Sequence, residues 1–460
     1  MNGNREYTYL AGKRMLILGM ARSGIAAAEL AASLGIQAVI NDRKTEDEFQ
    51  GALDSLKKLP VEWRLGEKAE DVLPSCDALL ISPGVPVQSP VVRMAREMGI
   101  PVLGELEFAA CFAPCDMVAL TGTNGKTTTV SLLGHIFECA GRHTVVAGNI
   151  GYPMSSAVME VGENDMIVCE VSSFQLETTR YFHPSVGAVL NISEDHLNRH
   201  GTMENYIALK RHLFDAQQPE DACVLNGDDA DCLGMQTKQQ GRVFLFSRTR
   251  EVENGAFVRS GMLTLRLNGN EEALCHQDDL IIPGPHNLEN ALAASLMARL
   301  SGVSAEDIVK GLTTFSGVEH RIEFVKEVDT VRYINDSKGT NVDSTIKAVL
   351  SMKAPTVLIL GGSDKHVSFD PLAEVIRNTP EISHCVLMGE TASQIEDALK
   401  KASYDAIWHA ADMAEAVEKA RTLSVKGGNV LLSPACASFD MFSDYEERGR
   451  VFKQLVFELE

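Results

Sequence analysis

The stretch VALTGTNGKTTTV contains the residues of this chain that are best suited to chemistry. Gly122 and Gly125 allow a compact loop whose backbone amides can point at phosphate groups. Lys126 supplies a positive charge for the β and γ phosphates of a nucleotide, and Thr127 offers a hydroxyl to Mg²⁺. A complete phosphate loop reads Gly-x-x-x-x-Gly-Lys-[Ser/Thr], whereas Leu120 stands where the first glycine is expected. Because an apolar strand precedes the loop and a helical pattern follows it, we predict a nucleotide site.

A carboxylate for magnesium ends a second apolar segment. Glu170 is the last residue of MIVCE, and Mg²⁺ bound to a triphosphate needs oxygen ligands beyond one hydroxyl. The alternative is that Glu170 is only a solvated charge at a strand end. Further along, Asp195 and His196 lie in NISEDHLNRHG, and Lys210 follows in a stretch of helical pattern. By spacing alone, a structural histidine and a solvated lysine are favoured over ligands.

A glycine-rich turn, LILGMARSG, lies near the start of the chain. Gly19, Ala21 and Gly24 have the spacing of a dinucleotide fingerprint, with alanine in place of the central glycine, and Asp42 closes the next strand 23 residues after Gly19. Three interpretations stay open: a tight turn without ligand, a nicotinamide or flavin site, and a site for a nucleotide-diphosphate substrate. ISPGVP forms another turn after an apolar strand, and such turns collect at the sheet edge where ligands bind.

Short apolar segments alternate with helical patterns along the whole chain. The first ~100 residues have the pattern of βαβ units. A second series begins at Asp116 and runs to about residue 317. A third contains VRYINDSKGTN, TVLILGGSDK, HCVLMGE and NVLLSPACASFD. The expected fold class is therefore α/β, with three domains built on parallel sheets.

Charge and cysteine content narrow the class of protein. The net charge of -21 and the pI near 5.0 argue against nucleic acid or a membrane as partner. The ten cysteines include no C-x-x-C pair, so we expect reduced thiols and no metal held by cysteine. No secretory signal opens the sequence, and no apolar run is long enough to span a bilayer. A cytoplasmic enzyme acting on small molecules is expected.

Seven motifs occur in an order that is more specific than any one of them. TGTNGKTTT, EVSSFQLE, NISEDHLNRHG, IPGPHNLENALAA, GVEHRIE, NDSKGTN and SPACASFD follow one another along the chain. Together they resemble the Mur ligases, ATP-dependent amide ligases of cell-wall precursor assembly. This family has a shortened phosphate loop, Gly-x-x-Gly-Lys-[Ser/Thr], so Leu120 is a variant and not a defect. The resemblance favours a UDP-sugar over a nicotinamide at the first glycine turn.

The resemblance implies three domains. Residues 1–105 would form a Rossmann-like UDP-sugar-binding domain, 106–317 a central P-loop ATPase-like catalytic domain with a mostly parallel sheet, and 318–460 a Rossmann-like α/β domain for the incoming amino acid. GMARSG and SPACASFD favour D-glutamate as that amino acid and UDP-N-acetylmuramoyl-L-alanine as the acceptor. A related ligase with another amino acid or acceptor, and a regulatory protein that hydrolyses ATP slowly, are the alternatives. We expect a monomer.

The resemblance also implies roles for individual residues. The catalytic set would be Lys126, Glu170, His196 and Lys210. ATP would contact Gly122, Thr123, Asn124, Gly125, Lys126, Thr127, Thr128, Asn287, Asn290, His320, Arg321, Asp336 and Lys338. The UDP-sugar would contact Ala21, Arg22, Ser23, Gly24, Asp42, Arg43, Ser82, Pro83, Gly84 and Asn149. D-Glutamate would contact Thr340, Lys365, Ser438, Phe439 and Tyr445. Two Mg²⁺ ions would be held by Thr127, Glu170, His196 and Lys210 as a carbamate.

Lys210 matches the lysine that Mur ligases convert to a carbamate with carbon dioxide. The change turns a cation into an anion that can ligate or orient a second Mg²⁺. The reaction needs a neutral amine, so the resemblance implies a site that lowers the pKa of this lysine. Asn198, Phe439 and Arg43 depart from the residues common in the family, which weakens the expected contacts around uracil and the amino acid.

Overall fold

The computed structural model describes residues 6–49, 59–282, 284–364 and 367–459, apart from the side chains of Asp47, Phe49, Asn198 and Lys238. The chain divides into two compact units, residues 1–315 and 316–460. The first unit contains two sheets and the second contains one. Within the described residues, no helix is both long enough and apolar enough to cross a membrane.

The first sheet is wholly parallel, in the order β3-β2-β1-β4-β5. Its strands are continuous apolar runs such as MLIL in β1, as expected where helices cover both faces of a sheet. The elements are β1 (Arg14–Leu18), α1 (Arg22–Ser33), β2 (Gln37–Asp42), β3 (Glu62–Leu65), α2 (Ala69–Val72), β4 (Ala78–Ile81), α3 (Pro90–Glu97), β5 (Val102–Gly104) and α4 (Glu105–Ala110).

The second sheet has the order β14-β13-β12-β11-β10-β9-β6-β8-β7. It is parallel from β7 to β12, and β13 and β14 extend it as antiparallel strands. Its elements are β6 (Asp116–Thr121), α5 (Lys126–Cys139), β7 (Thr144–Gly148), α6 (Met154–Glu160), β8 (Met166–Glu170), α7 (Ser173–Leu176), β9 (Val186–Val189), α8 (Leu197–His200), α9 (Met203–Arg211), β10 (Ala222–Asn226), α10 (Ala230–Leu233), β11 (Arg242–Ser247), β12 (Gly255–Arg259), β13 (Met262–Leu267), β14 (Asn270–His276), α11 (Pro285–Leu300) and α12 (Ala305–Thr314).

One hydrophobic core joins the two sheets of the first unit, with residues from Tyr7 to Met235 in a single cluster. Glu107 is buried at this junction and accepts hydrogen bonds from the Tyr7 hydroxyl and from the backbone amides of Tyr181 and Phe182. A buried carboxylate with this many donors is stabilised without a cation. The two sheets are thus parts of one packed body.

The second unit holds a six-stranded sheet in the order β15-β16-β20-β17-β18-β19, parallel except for the β15–β16 pair. Its elements are β15 (Glu323–Val328), β16 (Val331–Asn335), α13 (Val342–Ser351), β17 (Thr356–Leu360), α14 (Asp370–Asn378), β18 (Ile382–Leu387), α15 (Ala392–Lys401), β19 (Ile407–His409), α16 (Met413–Leu423), β20 (Asn429–Leu432) and α17 (Tyr445–Glu458).

The predicted fold class is confirmed: each of the three sheets belongs to an α/β layer, and parallel pairs dominate. The strands β13, β14 and β15, which pair antiparallel to their neighbours, were not predicted. β14 and β15 contain charged residues that interrupt their apolar pattern, whereas β13 is mostly apolar. All ten cysteines are free thiols, as predicted.

Candidate nucleotide and metal site

The phosphate loop leaves the carboxyl end of β6 between the ends of two neighbouring parallel strands. Leu120 pairs with Glu170 of β8 on one side, and Thr121 pairs with Val189 of β9 on the other. The loop then enters α5 through Gly125, whose φ of 79° is in the left-handed region. Glycine adopts this conformation without strain, and an added Cβ would collide with the amide of Asn290. The sheet therefore presents the loop at its ligand-binding edge.

The loop is held in shape by hydrogen bonds from the segment that follows β9. The Asn124 amide donates to Asn191 Oδ1 at 2.8 Å, and Asn191 Nδ2 donates back to the Asn124 carbonyl at 3.1 Å. The Thr123 amide donates to the Asn191 carbonyl at 3.0 Å, and the Thr123 and Tyr206 hydroxyls lie 3.2 Å apart. These bonds fix the conformation of the loop without phosphate, so less conformational entropy is lost when a phosphate binds.

Lys126 lies across the loop that precedes it. Its Nζ donates to the carbonyls of Gly122 at 2.8 Å and Thr123 at 2.9 Å. The ammonium group is thus placed at the mouth of the loop, where the helix N-terminus also favours negative charge. Thr128 follows within the first turn of α5.

Glu170 is buried, only 2% exposed, with a defined partner for each carboxylate oxygen. Thr127 Oγ1 donates to Oε2 at 2.9 Å, and Asn149 Nδ2 donates to Oε1 at 2.8 Å. The Asn149 amide also donates to the Glu170 carbonyl at 2.8 Å. The alternative of a solvated strand-end charge is therefore wrong. A hydroxyl and a carboxylate held together are hard oxygen donors, which fit Mg²⁺.

Lys210 is not the solvated lysine that spacing alone favours, since its side chain is only 2% exposed. From α9, its Nζ donates to the Gly122 carbonyl at 2.8 Å and to Thr121 Oγ1 at 3.4 Å, and it lies 4.5 Å from the centre of the Tyr206 ring. Burial, and next the positive charge of Lys126, lowers the pKa of Lys210 to about 7. Near pH 7 this amine is therefore present in both its charged and its neutral form.

His196 lies at the start of α8 with a left-handed φ of 53°. Its ring centre is 4.9 Å from that of Phe174, its side chain is 49% exposed, and its Nε2 lies 3.5 Å from Asp195 Oδ2. Among the residues that the structure describes, no group of three His, Cys, Asp or Glu side chains could hold a metal ion by itself. The described side chains thus offer a partial coordination set around Glu170 and Thr127.

The start of α11 borders the phosphate loop. Asn290 is buried beside Gly125, and its Nδ2 donates to Asn287 Oδ1 at 3.2 Å. Both asparagines belong to the predicted nucleotide set. The structure therefore brings that pair together with the loop, although they are more than 160 residues apart in sequence.

The first glycine turn lies where the strand order of the first sheet reverses, between β1 and β4, which is where open α/β sheets bind ligands. Gly24 sits so close to the Gly19 carbonyl that a Cβ would collide with it. Asp42 Oδ2 accepts from the Met20 amide at 2.9 Å, and Ser82 Oγ donates to the Leu18 carbonyl at 2.8 Å.

The remaining residues predicted for the UDP-sugar divide between two places. The turn after β1 carries Ala21, the first turn of α1 carries Arg22 and Ser23, and the turn after β4 carries Pro83 and Gly84. Arg43 directly follows β2. Asn149 instead directly follows β7 of the second sheet and donates to Glu170. Arg22 Nη2 donates to the Gly151 carbonyl at 3.2 Å, which links the first turn to the loop of Asn149.

In the second unit, two residues predicted for ATP are buried with partners of their own. His320 Nδ1 lies 2.8 Å from Asn335 Nδ2, and burial lowers the pKa of this histidine. Asp336 accepts from Ser433 Oγ at 2.6 Å and from the Ile322 amide at 3.2 Å, and burial raises its pKa to about 7. Both side chains are thus fixed by hydrogen bonds within the second unit.

The other residues predicted in this unit lie on loops at the carboxyl edge of its sheet or beside it. Lys338 Nζ is 5.9 Å from the Tyr445 ring centre, and the Tyr445 and His320 ring centres are 6.3 Å apart. Ser438 is buried, whereas Phe439 is 74% exposed. Arg321 and Thr340 are in the loops before β15 and after β16. Lys365 lies outside the described residues.

Sequence patterns did not single out Asn191, Tyr206 or Arg448. Asn191 follows an apolar strand, and Tyr206 precedes Lys210 by one helical turn. Their positions in the sequence could therefore have indicated that both residues lie near the site. Arg448 is a charged residue in a polar helical stretch, and its complete burial could not be read from that pattern.

Comparison with known proteins decides the family. Residues 13–104 match the Mur ligase MurD-like N-terminal domain, 120–298 the Mur ligase middle domain, and 320–436 the glutamate ligase domain of Mur ligases. The chain belongs to the Mur ligase family. Together these matches cover most of its length, and the resemblance drawn from the seven motifs is confirmed. Mur ligases use ATP and Mg²⁺.

Two relatives in this family are similar over nearly their whole length. The chain is 47% identical to a UDP-N-acetylmuramoylalanine--D-glutamate ligase from Thermoanaerobacter sp. strain X514, over 98% of this chain and 99% of the relative. It is 43% identical to the protein of the same name from Clostridioides difficile strain 630, over 97% and 99%.

Solved Mur ligase structures share the fold at lower identity. UDP-N-acetylmuramate-alanine ligase MurC from Thermotoga maritima is 20% identical with a TM-score of 0.57, over 97% of this chain and 99% of that one. MurF from Acinetobacter baumannii is 18% identical with a TM-score of 0.58, over 97% and 93%.

Proposed function

We propose that this Mur ligase joins D-glutamate to UDP-N-acetylmuramoyl-L-alanine, with ATP converted to ADP and phosphate, in the synthesis of peptidoglycan precursors. The observation that carries the proposal is the convergence of Lys126, Thr127, Glu170 and Lys210 on one phosphate loop. Full-length similarity to enzymes named for this reaction supports the choice of substrates. ATP and nucleotide-activated sugars are cytoplasmic metabolites, so the proposed enzyme is cytoplasmic.

Each of the three sheets has its own proposed binding role. Residues 1–105 bind the UDP-sugar at the glycine turns, residues 106–317 bind ATP and carry the chemistry, and residues 318–460 bind the amino acid. The first glycine turn lies at the strand-order reversal, where a diphosphate would meet the N-terminus of α1. This position supports assignment of the turn to the UDP-sugar.

The reaction needs an activated carboxylate, because a carboxylate and an amine do not condense spontaneously in water. The γ-phosphoryl group of ATP is transferred to the L-alanine carboxylate, and the amine of D-glutamate then attacks the acyl carbon as phosphate leaves. Lys126, at the mouth of the loop, stabilises the charge on the transferring group. Thr127 and Glu170 would hold Mg²⁺, which supplies Lewis-acid stabilisation of phosphoryl oxygens. Asn149 keeps the Glu170 carboxylate turned toward Thr127.

Lys210 is proposed to be a carbamate in the active enzyme. Its neutral amine adds to CO₂, forming an N–C bond and releasing one proton, so that an anion replaces the buried cation. The lowered pKa supports this step, because it provides the neutral amine. The charge of Lys126, which opposes an ammonium at this place, would attract the carbamate. Thr127, Glu170, His196 and the carbamate are the proposed metal-binding set.

The amino-acid pocket is proposed to lie on the loops of the C-terminal sheet. Thr340 and Ser438 would donate hydroxyl hydrogen bonds to D-glutamate, and Lys365 would pair with one of its two carboxylates. Phe439 and Tyr445 would border the pocket. The proposed ATP contacts in the same unit are His320, Arg321, Asp336 and Lys338.

The proposal is tested with the full chain, UDP-N-acetylmuramoyl-L-alanine, ATP and Mg²⁺, with D-glutamate, L-glutamate or no amino acid. We expect phosphate release and a new amide, detected by mass spectrometry, with D-glutamate only. Equal use of L-glutamate, or of another amino acid, would assign the chain to a different Mur ligase reaction. Phosphate release without an amide would support the regulatory alternative.

A further inference from the structure

Arg448, in α17, is the largest fully buried side chain in the described part of the chain, at 1% exposure. No carboxylate accepts a hydrogen bond from it among the described residues. Its partners are instead oxygens of two loops: Nε donates to Ser337 Oγ at 3.0 Å, Nη2 to the carbonyls of Ser337 at 2.9 Å and Cys436 at 3.1 Å, and Nη1 to the Ala437 carbonyl at 3.1 Å. A buried cation thus depends on loop carbonyls for its stabilisation.

These loops leave three neighbouring strands. Ser337 follows β16, Cys436 and Ala437 follow β20, and β17 lies on the other side of β20. The loop after β17 joins the same cluster, since the Ser363 amide donates to the Ala437 carbonyl at 3.0 Å, and a Cβ added to Gly362 would lie 3.1 Å from Arg448 Nη1. Arg448 therefore lies where three loops of one sheet edge meet.

A second connection ties the helix itself to this cluster. Ser337 Oγ, which accepts from Arg448, donates to the carbonyl of Tyr445 at 2.8 Å. The first turn of α17 and the loop after β16 are thereby held in one arrangement. A lysine cannot replace the guanidinium here, because a single ammonium cannot span acceptors that lie on both loops in the planar geometry of the fork.

Two of these three loops carry described residues proposed to bind D-glutamate. Thr340 lies three residues after Ser337, and Ser438 directly follows Ala437. If the side chain at position 448 only filled space, an apolar side chain of similar size would do so without the cost of burying a charge. A buried guanidinium that satisfies carbonyls of separate loops instead fixes their spacing.

We propose that Arg448 is a positioning residue for the amino-acid pocket, setting the relative positions of the loops after β16 and β20, which carry Thr340 and Ser438. The inference rests on the proposed function. It assigns Arg448 no contact with substrate; the residue acts through the backbone of the loops that it joins.

Three variants test this role by steady-state kinetics with each substrate varied in turn. For Arg448→Lys we expect a rise of at least tenfold in KM for D-glutamate and less than twofold in KM for the UDP-sugar, whose proposed site is in the first unit. Ser337→Ala removes one acceptor of Arg448 and the bond to Tyr445 without changing the helix, and we expect a threefold or larger rise in the same KM. Phe452→Leu, on the same helix and fully buried, is the control for general loosening. We expect it to lower Tm while the KM for D-glutamate stays within twofold.

The inference is overturned if Arg448→Lys and Ser337→Ala keep the wild-type KM for D-glutamate, or if Phe452→Leu raises it equally. Should Arg448→Lys not fold, Ser337→Ala against Phe452→Leu decides the question. Absence of D-glutamate ligation by the wild-type chain would instead refute the proposed function, so the two failures are distinguishable.

Discussion

Carbamate formation on Lys210 should be controlled by pH near neutrality. With the ordinary lysine pKa of 10.5, the neutral fraction at pH 7 would be about 3 in 10,000, whereas a pKa of about 7 makes it about one half. The structure thus raises the concentration of the reactive amine by a factor of about a thousand. Burial contributes most of this effect and Lys126 contributes next.

The measurement is a titration with ¹³C-labelled bicarbonate, followed by ¹³C NMR between pH 6 and 9 at constant dissolved CO₂. We expect a carbamate signal that is already present near pH 7 and increases with pH, because only the neutral amine reacts and its addition to CO₂ releases a proton. Lys210→Arg keeps a cation and cannot form the carbamate, so its spectrum is the control, and it should lack ligase activity. A signal equally strong in that variant, or one that appears only near pH 10, would refute the argument.

Four further outcomes follow from the same contacts. Asn149→Ala removes the hydrogen bond to one carboxylate oxygen of Glu170. We expect kcat to fall about 10- to 100-fold and the Mg²⁺ concentration needed for activity to increase, as for other residues that orient a metal ligand. An unchanged Mg²⁺ dependence would contradict this. Lys126→Ala should abolish phosphoryl transfer and leave UDP-sugar affinity, measured by calorimetry, unchanged. Tyr206→Phe loses the hydroxyl that meets the phosphate loop and should raise KM for ATP a few-fold, whereas a change confined to D-glutamate would be unexpected. In CO₂-free buffer, the pKa of Lys210 is lower in the folded than in the unfolded chain, so the unfolded chain binds more protons between about pH 7 and 10.5. The free energy of unfolding should therefore rise with pH across that window. Denaturant titrations of Lys210→Met should lack this pH-dependent increase.

Local patterns were sufficient for buried parallel strands such as β6, β8 and β9 and for the phosphate loop. The loop was predictable because a buried strand, two glycines and a helix start are consecutive in sequence, and β6 and α5 place Gly122 and Lys126 accordingly. The antiparallel strands β13 and β14 carry charged residues such as Arg266 and Glu271, which pair with each other across the ribbon and conceal the strand pattern. Sequence patterning detects burial, and these strands are stabilised partly by exposed ion pairs.

The burial of site residues was less predictable than their identity. Glu170 is buried because Thr127 and Asn149 satisfy its two oxygens, and these partners are 43 and 21 residues away. Lys210 is buried because α9 packs its side chain against the loop after β6, 88 residues earlier. Spacing along one helix cannot reveal a partner on another element. The family resemblance identified these positions without supplying the reason for their burial.

Among the described residues, Lys210 in the first unit and Arg448 in the second are buried basic side chains that donate to loop oxygens, and the chemical difference between them explains their different proposed roles. Lys210 has a pKa of about 7, so it exchanges its proton easily and can become a nucleophile toward CO₂. Burial lowers the pKa of Arg448 only to about 10, which leaves the guanidinium charged at neutral pH. A group that stays charged and spans several carbonyls is suited to holding loops, whereas a group poised between two protonation states is suited to modification. Exchanging them, as in Lys210→Arg and Arg448→Lys, should therefore damage different steps: the first the chemistry that depends on the carbamate, the second the affinity for the amino acid.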